Sequence, residues 1–308
     1  MKMGPLVVSG PCFDILYNIC YNLFSLNVIG DVVEELVKYI RNSLGMSQQE
    51  FASKLGVTFA TINRWENGHS APNMLAETKL YEFCKENRID LGAFIDSKIK
   101  ALECDFYHGS KSGLDGKIAP SSRAHCDFGK GFYMGNDYMQ SLTLICAFPN
   151  SKLYAIDMDM SGLKVLHVKP DIEWAMLVAF HRGKMDSVKG SALYEKYANM
   201  LKGYDVVVGS IADDRMFYVI DNFFTGAITD KALVASLAAL QLGEQYVAIS
   251  EKACRAVKVK AEIPLSHTER LYLQATAQRN RINGINLAND VCKKYRREGL
   301  YFDEILGG

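Results

Sequence analysis

The chain has 308 residues, of which 49% are apolar, with Lys+Arg and Asp+Glu balanced at 35 each; this supports a sizeable core spread over two domains. The zero net charge excludes attraction of the whole molecule to nucleic acid or membrane, so any such affinity must be local. Eight cysteines without a C-x-x-C pair read as reduced, buried thiols, and no metal-site spacing is present.

Residues 1–29 are apolar but broken by Gly10, Pro11 and Asp14, which argues against a secretory leader. They are expected to form an extension of a cytoplasmic protein with no membrane span. Residues 30–98 read as helical. Val33, Leu36, Val37 and Ile40 line one helix face. "SQQEFASKLG" opens on a capping box of Ser47 and Glu50 and closes on Gly56. "TFATINRWENG" follows at once, with Thr58 as its cap. Two short helices joined by a tight Gly-containing turn make a helix-turn-helix.

The stretch "MSQQEFASKLGVTFATINRWENGHSAPN" resembles the Cro/C1-type (XRE) repressor family. That resemblance implies DNA as a partner, with Gln48 on phosphate, Phe59, Ala60, Thr61 and Arg64 at the exposed base-facing positions of the recognition helix, and readout resting mainly on Thr61, Asn63 and Arg64. Ile62 and Trp65 match its buried side. Phe59 and Ala60 depart from the polar readers usual in the family; apolar side chains touch a thymine methyl but accept or donate no hydrogen bond. One such module covers only a short half-site, so a dimer is implied. The alternative is a protein-binding bundle, since Glu66, Glu77, Glu82 and Glu86 offset its Lys and Arg.

Residues 99–264 change texture to short β-branched and aromatic runs. "DFYHGS", "KLYAIDMD", "LKVLHV", "YDVVVGSIA" and "QYVAISEKA" read as strands, with helices in "EWAMLVAFHRGK", "SALYEKYANMLKG" and "DKALVASLAALQLG". The glycines of "DFGKGFYMGND" first suggest a phosphate cradle, but no Ser or Thr follows Gly129-Lys130 and no third glycine stands in register for a dinucleotide fingerprint. The remaining reading is a turn that delivers Phe132 and Tyr133 to opposite faces of a strand.

"YHGS", "FGKGFYMGND" and "GEQYVAIS", in that order, resemble the motif blocks of the ADP-ribosyltransferase superfamily in its His-Tyr-Glu branch. With "YDVVVGSIADDR" they resemble, more narrowly, the bacterial DUF3990 group. The resemblance implies a split β-sheet that binds NAD as substrate. His108 would hold the distal ribose, the Gly109 backbone the nicotinamide amide, and Ser110 a ribose or amide group. Tyr133 would stack on nicotinamide, and Gln245 stands where the branch has its catalytic glutamate. An amide there keeps a hydrogen bond and loses the charge that stabilises an oxocarbenium ion. Arg123 either reaches a phosphate or caps its loop; Arg215 either grips the pyrophosphate or pairs within "ADDR".

Residues 265–308 return to helix, with Lys293, Lys294, Arg296 and Arg297 as a basic cluster. The fold expected is multidomain α and α+β: an all-α helix-turn-helix bundle, a central split-sheet domain and a helical C-terminal tail. The resemblances imply an NAD-dependent transferase acting on a macromolecular acceptor, as a toxin, defence or self-regulating effector. The rival is a transcriptional regulator whose transferase-like domain senses NAD or an ADP-ribosylated ligand without turnover.

Overall fold

The structure, a computed structural model, describes residues 27–28, 32–240 and 243–307. The expected apolar extension therefore lies outside the described residues, apart from Asn27 and Val28.

The first helices are α1 (Val32–Ser43), α2 (Gln48–Leu55), α3 (Phe59–Glu66), α4 (Met74–Glu86) and α5 (Leu91–Lys100). Their ends follow from side-chain caps: Ser47 and Glu50 form the reciprocal capping box, and Thr58, Asn73 and Asp90 each accept from an amide of the next turn. Leu36, Val37, Ile40, Phe51, Ile62 and Trp65 point inward as their spacing requires.

Among the described residues there are eight strands: β1 (Asn27–Val28), β2 (Phe106–Ser110), β3 (Phe132–Gly135), β4 (Lys152–Met158), β5 (Val165–Val168), β6 (Val206–Ser210), β7 (Glu244–Ala248) and β8 (Val257–Pro264). They form one mixed sheet in the order β1-β8-β4-β2-β3-β7-β6-β5. Only β1/β8 and β5/β6 are parallel. The sheet has a weak middle: β2 pairs with β4 over five positions but meets β3 only at Tyr107 and Gly135. The split halves are thus hinged at a single residue pair.

The helices of the sheet domain are α6 (Tyr138–Ile145), α7 (Ile172–His181), α8 (Ala192–Met200), α9 (Asp214–Phe224), α10 (Asp230–Leu240) and α11 (Glu251–Ala256), followed by α12 (His267–Tyr295) and α13 (Phe302–Gly307). One sheet face carries two cores. Trp174, Val207, Phe223, Leu233 and Val247 gather under α7, α9 and α10. Tyr107, Leu142, Ile145, Leu153 and Ile263 join the core of the helix-turn-helix bundle itself. Phe106, Phe132, Met134, Tyr154 and Val208 form the other face, closed by α11 and by Leu114 and Ile118 of the long loop after β2.

Several elements differ from the sequence reading. The strand expected through "QYVAISEKA" stops at Ala248, because Ser250 caps α11 by accepting from the Ala253 amide. Strand β8 and helices α6 and α9 are additional. The tail begins as one 29-residue helix, α12, about 43 Å long at 1.5 Å per residue.

Helix α12 fixes the bundle to the sheet. Its start is capped by Ser266 and Glu269. The Glu269 carboxylate is fully buried and accepts from Lys98 Nζ of α5 at 3.0 Å. Thr268, also buried, donates its amide to Glu77 Oε2 of α4 at 2.9 Å and its hydroxyl to the Glu77 carbonyl at 3.0 Å. A buried charge that loses its partner is costly, so Lys98→Ala is expected to destabilise the protein by about 3 kcal/mol. Urea unfolding checks this; an unchanged midpoint and slope would refute the account.

Candidate functional site

In the bundle, Glu66 is 2% exposed and gathers the turn around itself. It accepts from Arg41 Nε at 2.6 Å, from Arg41 Nη2 at 3.1 Å and from Gln48 Nε2 at 2.7 Å, while Asn63 donates to Gln48 Oε1 at 3.2 Å. Gln48 and Asn63 therefore bolt α2 to α3. Arg64 and Ala60 are exposed, and Phe59 is 46% exposed, on the outer face of α3. Thr61, half-buried, lies with its hydroxyl 2.9 Å from that of Thr58. Ile62 and Trp65 face the core. The free surface of α3 thus centres on Phe59, Ala60 and Arg64.

In the sheet, His108 stands beside the split. Its imidazole stacks on Phe132 at 4.4 Å between centroids. Nδ1 lies 2.7 Å from the Tyr133 carbonyl. A carbonyl only accepts, so Nδ1 carries the proton and Nε2 presents a lone pair. Burial lowers the pKa of the ring, with the Tyr133 bond opposing more weakly, and the imidazole is neutral at pH 7. No protein group bonds Nε2 among the described residues.

Gly109 follows, and glycine is required there by close approach: a β-carbon would stand 2.8 Å from the Ser141 carbonyl and 3.0 Å from Ile145 of α6. Ser110 donates to the Gly113 carbonyl at 2.7 Å, which shapes the start of the loop. Arg123 is exposed further along that loop.

Phe132 and Tyr133 do face opposite ways. Phe132 packs with His108, whereas the Tyr133 ring lies on the helical face, where its hydroxyl donates to the Gly129 carbonyl at 2.8 Å and accepts from the Phe128 amide at 3.0 Å. Burial raises the Tyr133 phenol pKa. Instead of standing free, the ring holds the Gly129 turn.

Gln245 shares the helical face with Tyr133, since it pairs with Gly135 and Gly209 in register. It is 5% exposed, and its amide donates to Asp127 Oδ2 at 2.8 Å and to the Ser210 carbonyl at 2.9 Å. Asp127 also accepts from the Ala212 amide at 2.9 Å and from Arg182 Nε at 3.0 Å and Nη2 at 2.5 Å. Arg215 pairs with Asp213 at the start of α9, at 2.6 Å from Nε, with its stem against Gly284 of α12. The structure thus brings His108, Gly109 and Ser110 to one edge of the split. It places Tyr133 and Gln245 on the other face, and Arg215 with α12.

Asp127 and Arg182 form the buried network that is not legible in the sequence. Asp127 lies inside the Gly-rich stretch, and nothing in its spacing marks it as buried. Arg182 ends a strongly apolar helix, and a lone Arg after "LVAFH" carried no signal of burial. Among the described residues no cluster of His, Cys, Asp or Glu is arranged to hold a metal, and no helix is long and apolar enough to cross a membrane.

Two outcomes are expected. Gln245→Glu would set a carboxylate against Asp127 Oδ2 and the Ser210 carbonyl, costing about 3 kcal/mol at neutral pH. The new acid's folded pKa would be raised, so the deficit should shrink as pH falls toward the ordinary glutamate range; a deficit constant with pH would contradict the geometry. Arg64→Ala should weaken binding to a duplex selected from random sequence about tenfold, read by fluorescence anisotropy.

The comparisons with known proteins agree with this architecture. A helix-turn-helix profile matches residues 37–75, and a profile described as a protein of unknown function, DUF3990, matches residues 104–259, just over half of the chain. No curated protein and no solved structure matches it significantly. The matched helix-turn-helix is a DNA-binding module, and the sheet behind it carries the opened strand pair, the locked imidazole and the buried Asp127 network within the larger matched segment: the chain belongs to the DUF3990 family, with a DNA-binding helix-turn-helix fused ahead of the family domain.

Proposed function

We propose that the sheet domain binds NAD at the split between β2 and β3 and that the protein is a DNA-binding ADP-ribosyltransferase. The observation that carries this reading is the His108 edge: beside a sheet opened to a single residue pair, a neutral imidazole is locked by a backbone carbonyl and offers Nε2 as an acceptor. A ribose hydroxyl is the donor such a nitrogen fits. Exposed Arg123 on the adjoining loop suits a diphosphate. The motif order "YHGS", "FGKGFYM", "GEQYVAIS", with its resemblance to the transferase superfamily, supports the same assignment.

In this reading His108 and Ser110 hold the nucleotide at the split, and Tyr133 acts from the other face through its carbonyl, which fixes the His108 ring. The bond from ribose C1′ to the nicotinamide nitrogen breaks, nicotinamide leaving neutral with the electron pair. A nucleophilic oxygen or nitrogen of a macromolecular acceptor then bonds C1′ and loses its proton. Fission proceeds without a carboxylate at 245, so turnover is expected to be slow.

A second reading rests on one specific observation: both donors of the Gln245 amide are spent on Asp127 and Ser210, leaving them unavailable to a ribose. On that reading the domain senses NAD and does not cleave it. Calorimetry with NAD, together with chromatography for nicotinamide, separates the two. The transferase reading expects release that His108→Ala reduces at least about a hundredfold, with melting temperature retained. Tight binding without release selects the sensor; no binding, or release unchanged in His108→Ala, removes both.

A further inference from the structure

On the sheet face opposite the His108 ring, a cavity of about 360 Å³ is lined by Phe128, Gly129, Lys130, His181, Leu201 and Ile249. Its volume falls within the range of small-molecule sites. The walls are mostly apolar, and two features are not. Lys130 is exposed. His181, the last residue of α7, has a buried Nε2 with no hydrogen-bond partner, whereas nearly all buried polar atoms in proteins are bonded.

The imidazole is held in place from its other side. Its Nδ1 and Cε1 lie 2.8 and 3.1 Å from where a β-carbon on residue 129 would stand, and Gly129 has φ +74°. Glycine is thus required there twice, by conformation and by the ring. Burial pushes the His181 pKa down to about 4, so at neutral pH the ring is uncharged and has one N–H and one lone pair to offer. A second histidine nearby, His125, bonds only the His181 carbonyl, at 3.2 Å, and leaves the ring unspent.

We propose that this cavity binds a small aromatic carboxylic acid, its ring among Phe128, Leu201 and Ile249 and its carboxylate reaching the His181 imidazole and the Lys130 ammonium. An apolar body answers the walls, and a single anionic group answers both the cation and the unspent donor. Phe128 and Gly129, which line the cavity, also hold the Tyr133 hydroxyl through the Phe128 amide and the Gly129 carbonyl. Occupancy therefore braces the turn that carries Tyr133, whose carbonyl in turn holds His108. The site does not depend on the NAD reading.

The test is a titration of the full chain, labelled at histidine, with benzoate, followed by the imidazole C–H resonances. One resonance, identified by its loss in His181→Gln, should shift saturably in the millimolar range. Lys130→Ala, a change at an exposed position that leaves folding intact, should weaken binding about tenfold. Benzyl alcohol, of the same shape without the charge, should bind less well than benzoate. No saturable shift of the His181 resonance overturns the proposal, as does equal affinity in Lys130→Ala or for benzyl alcohol.

Discussion

The carboxylate of Asp127 is the point on which the sheet domain's interior depends. It is 5% exposed and accepts from donors on three other segments: Arg182 after α7, the Ala212 amide between β6 and α9, and Gln245 on β7. A buried carboxylate is tolerated only when its lone pairs are filled, and here they are. Arg182 reinforces the knot by donating to the Ala212 carbonyl at 2.9 Å and lying over the Phe217 ring. The loop that leaves β2 is therefore pinned at its far end, immediately before the Gly129 turn. The placement of Tyr133, and through its carbonyl the tautomer of His108, follows from that anchor.

The same network accounts for an amide at position 245. Each acceptor facing that side chain, Asp127 Oδ2 and the Ser210 carbonyl, requires a donor. Gln supplies two hydrogens and Glu supplies none when ionised. The charge in this part of the interior resides on Asp127 and is balanced by Arg182, so a second carboxylate would face the first with no cation between them. Position 245 is thus matched to its neighbours as a structural donor, whatever chemistry takes place across the split.

Much of the bundle was legible because its signals are local. Ser47 with Glu50, Thr58 and Gly56 mark helix ends within a few residues of chain, the inward Leu36, Val37 and Ile40 follow from helical period, and the outward Arg64 and inward Ile62 and Trp65 are as the repressor-family resemblance implies. The opposed faces of Phe132 and Tyr133 follow equally from the two-residue period of a strand. Strand β8 carries the same period: Val257, Val259, Ala261 and Ile263 alternate with Lys258, Lys260 and Glu262. What sequence could not give is the partner of a polar group. Gln48 meeting Glu66, Gln245 meeting Asp127 over 118 positions of chain, and Arg215 turning to Asp213 and α12 are outcomes of packing. No spacing rule encodes them.

The bundle and the sheet domain read as separate modules along the sequence but share one core. Phe51, Ile62 and Ile99 belong to the same cluster as Tyr107 of β2 and Leu142 of α6. Tyr138 at the start of α6 bonds Asp96 of α5, and the Ser141 carbonyl on the same helix meets Gly109 beside the split. The buried Glu77, Thr268, Lys98 and Glu269 contacts add a polar lock that keeps its strength where water is excluded. A close-packed interior transmits displacement because it has no void to absorb it. Helix α6 is bonded through Tyr138 to Asp96 of α5, whose Phe94 packs on Tyr39 of α1. The bundle and the β2 side of the sheet are therefore joined by one continuous core and its buried polar contacts rather than by a tether.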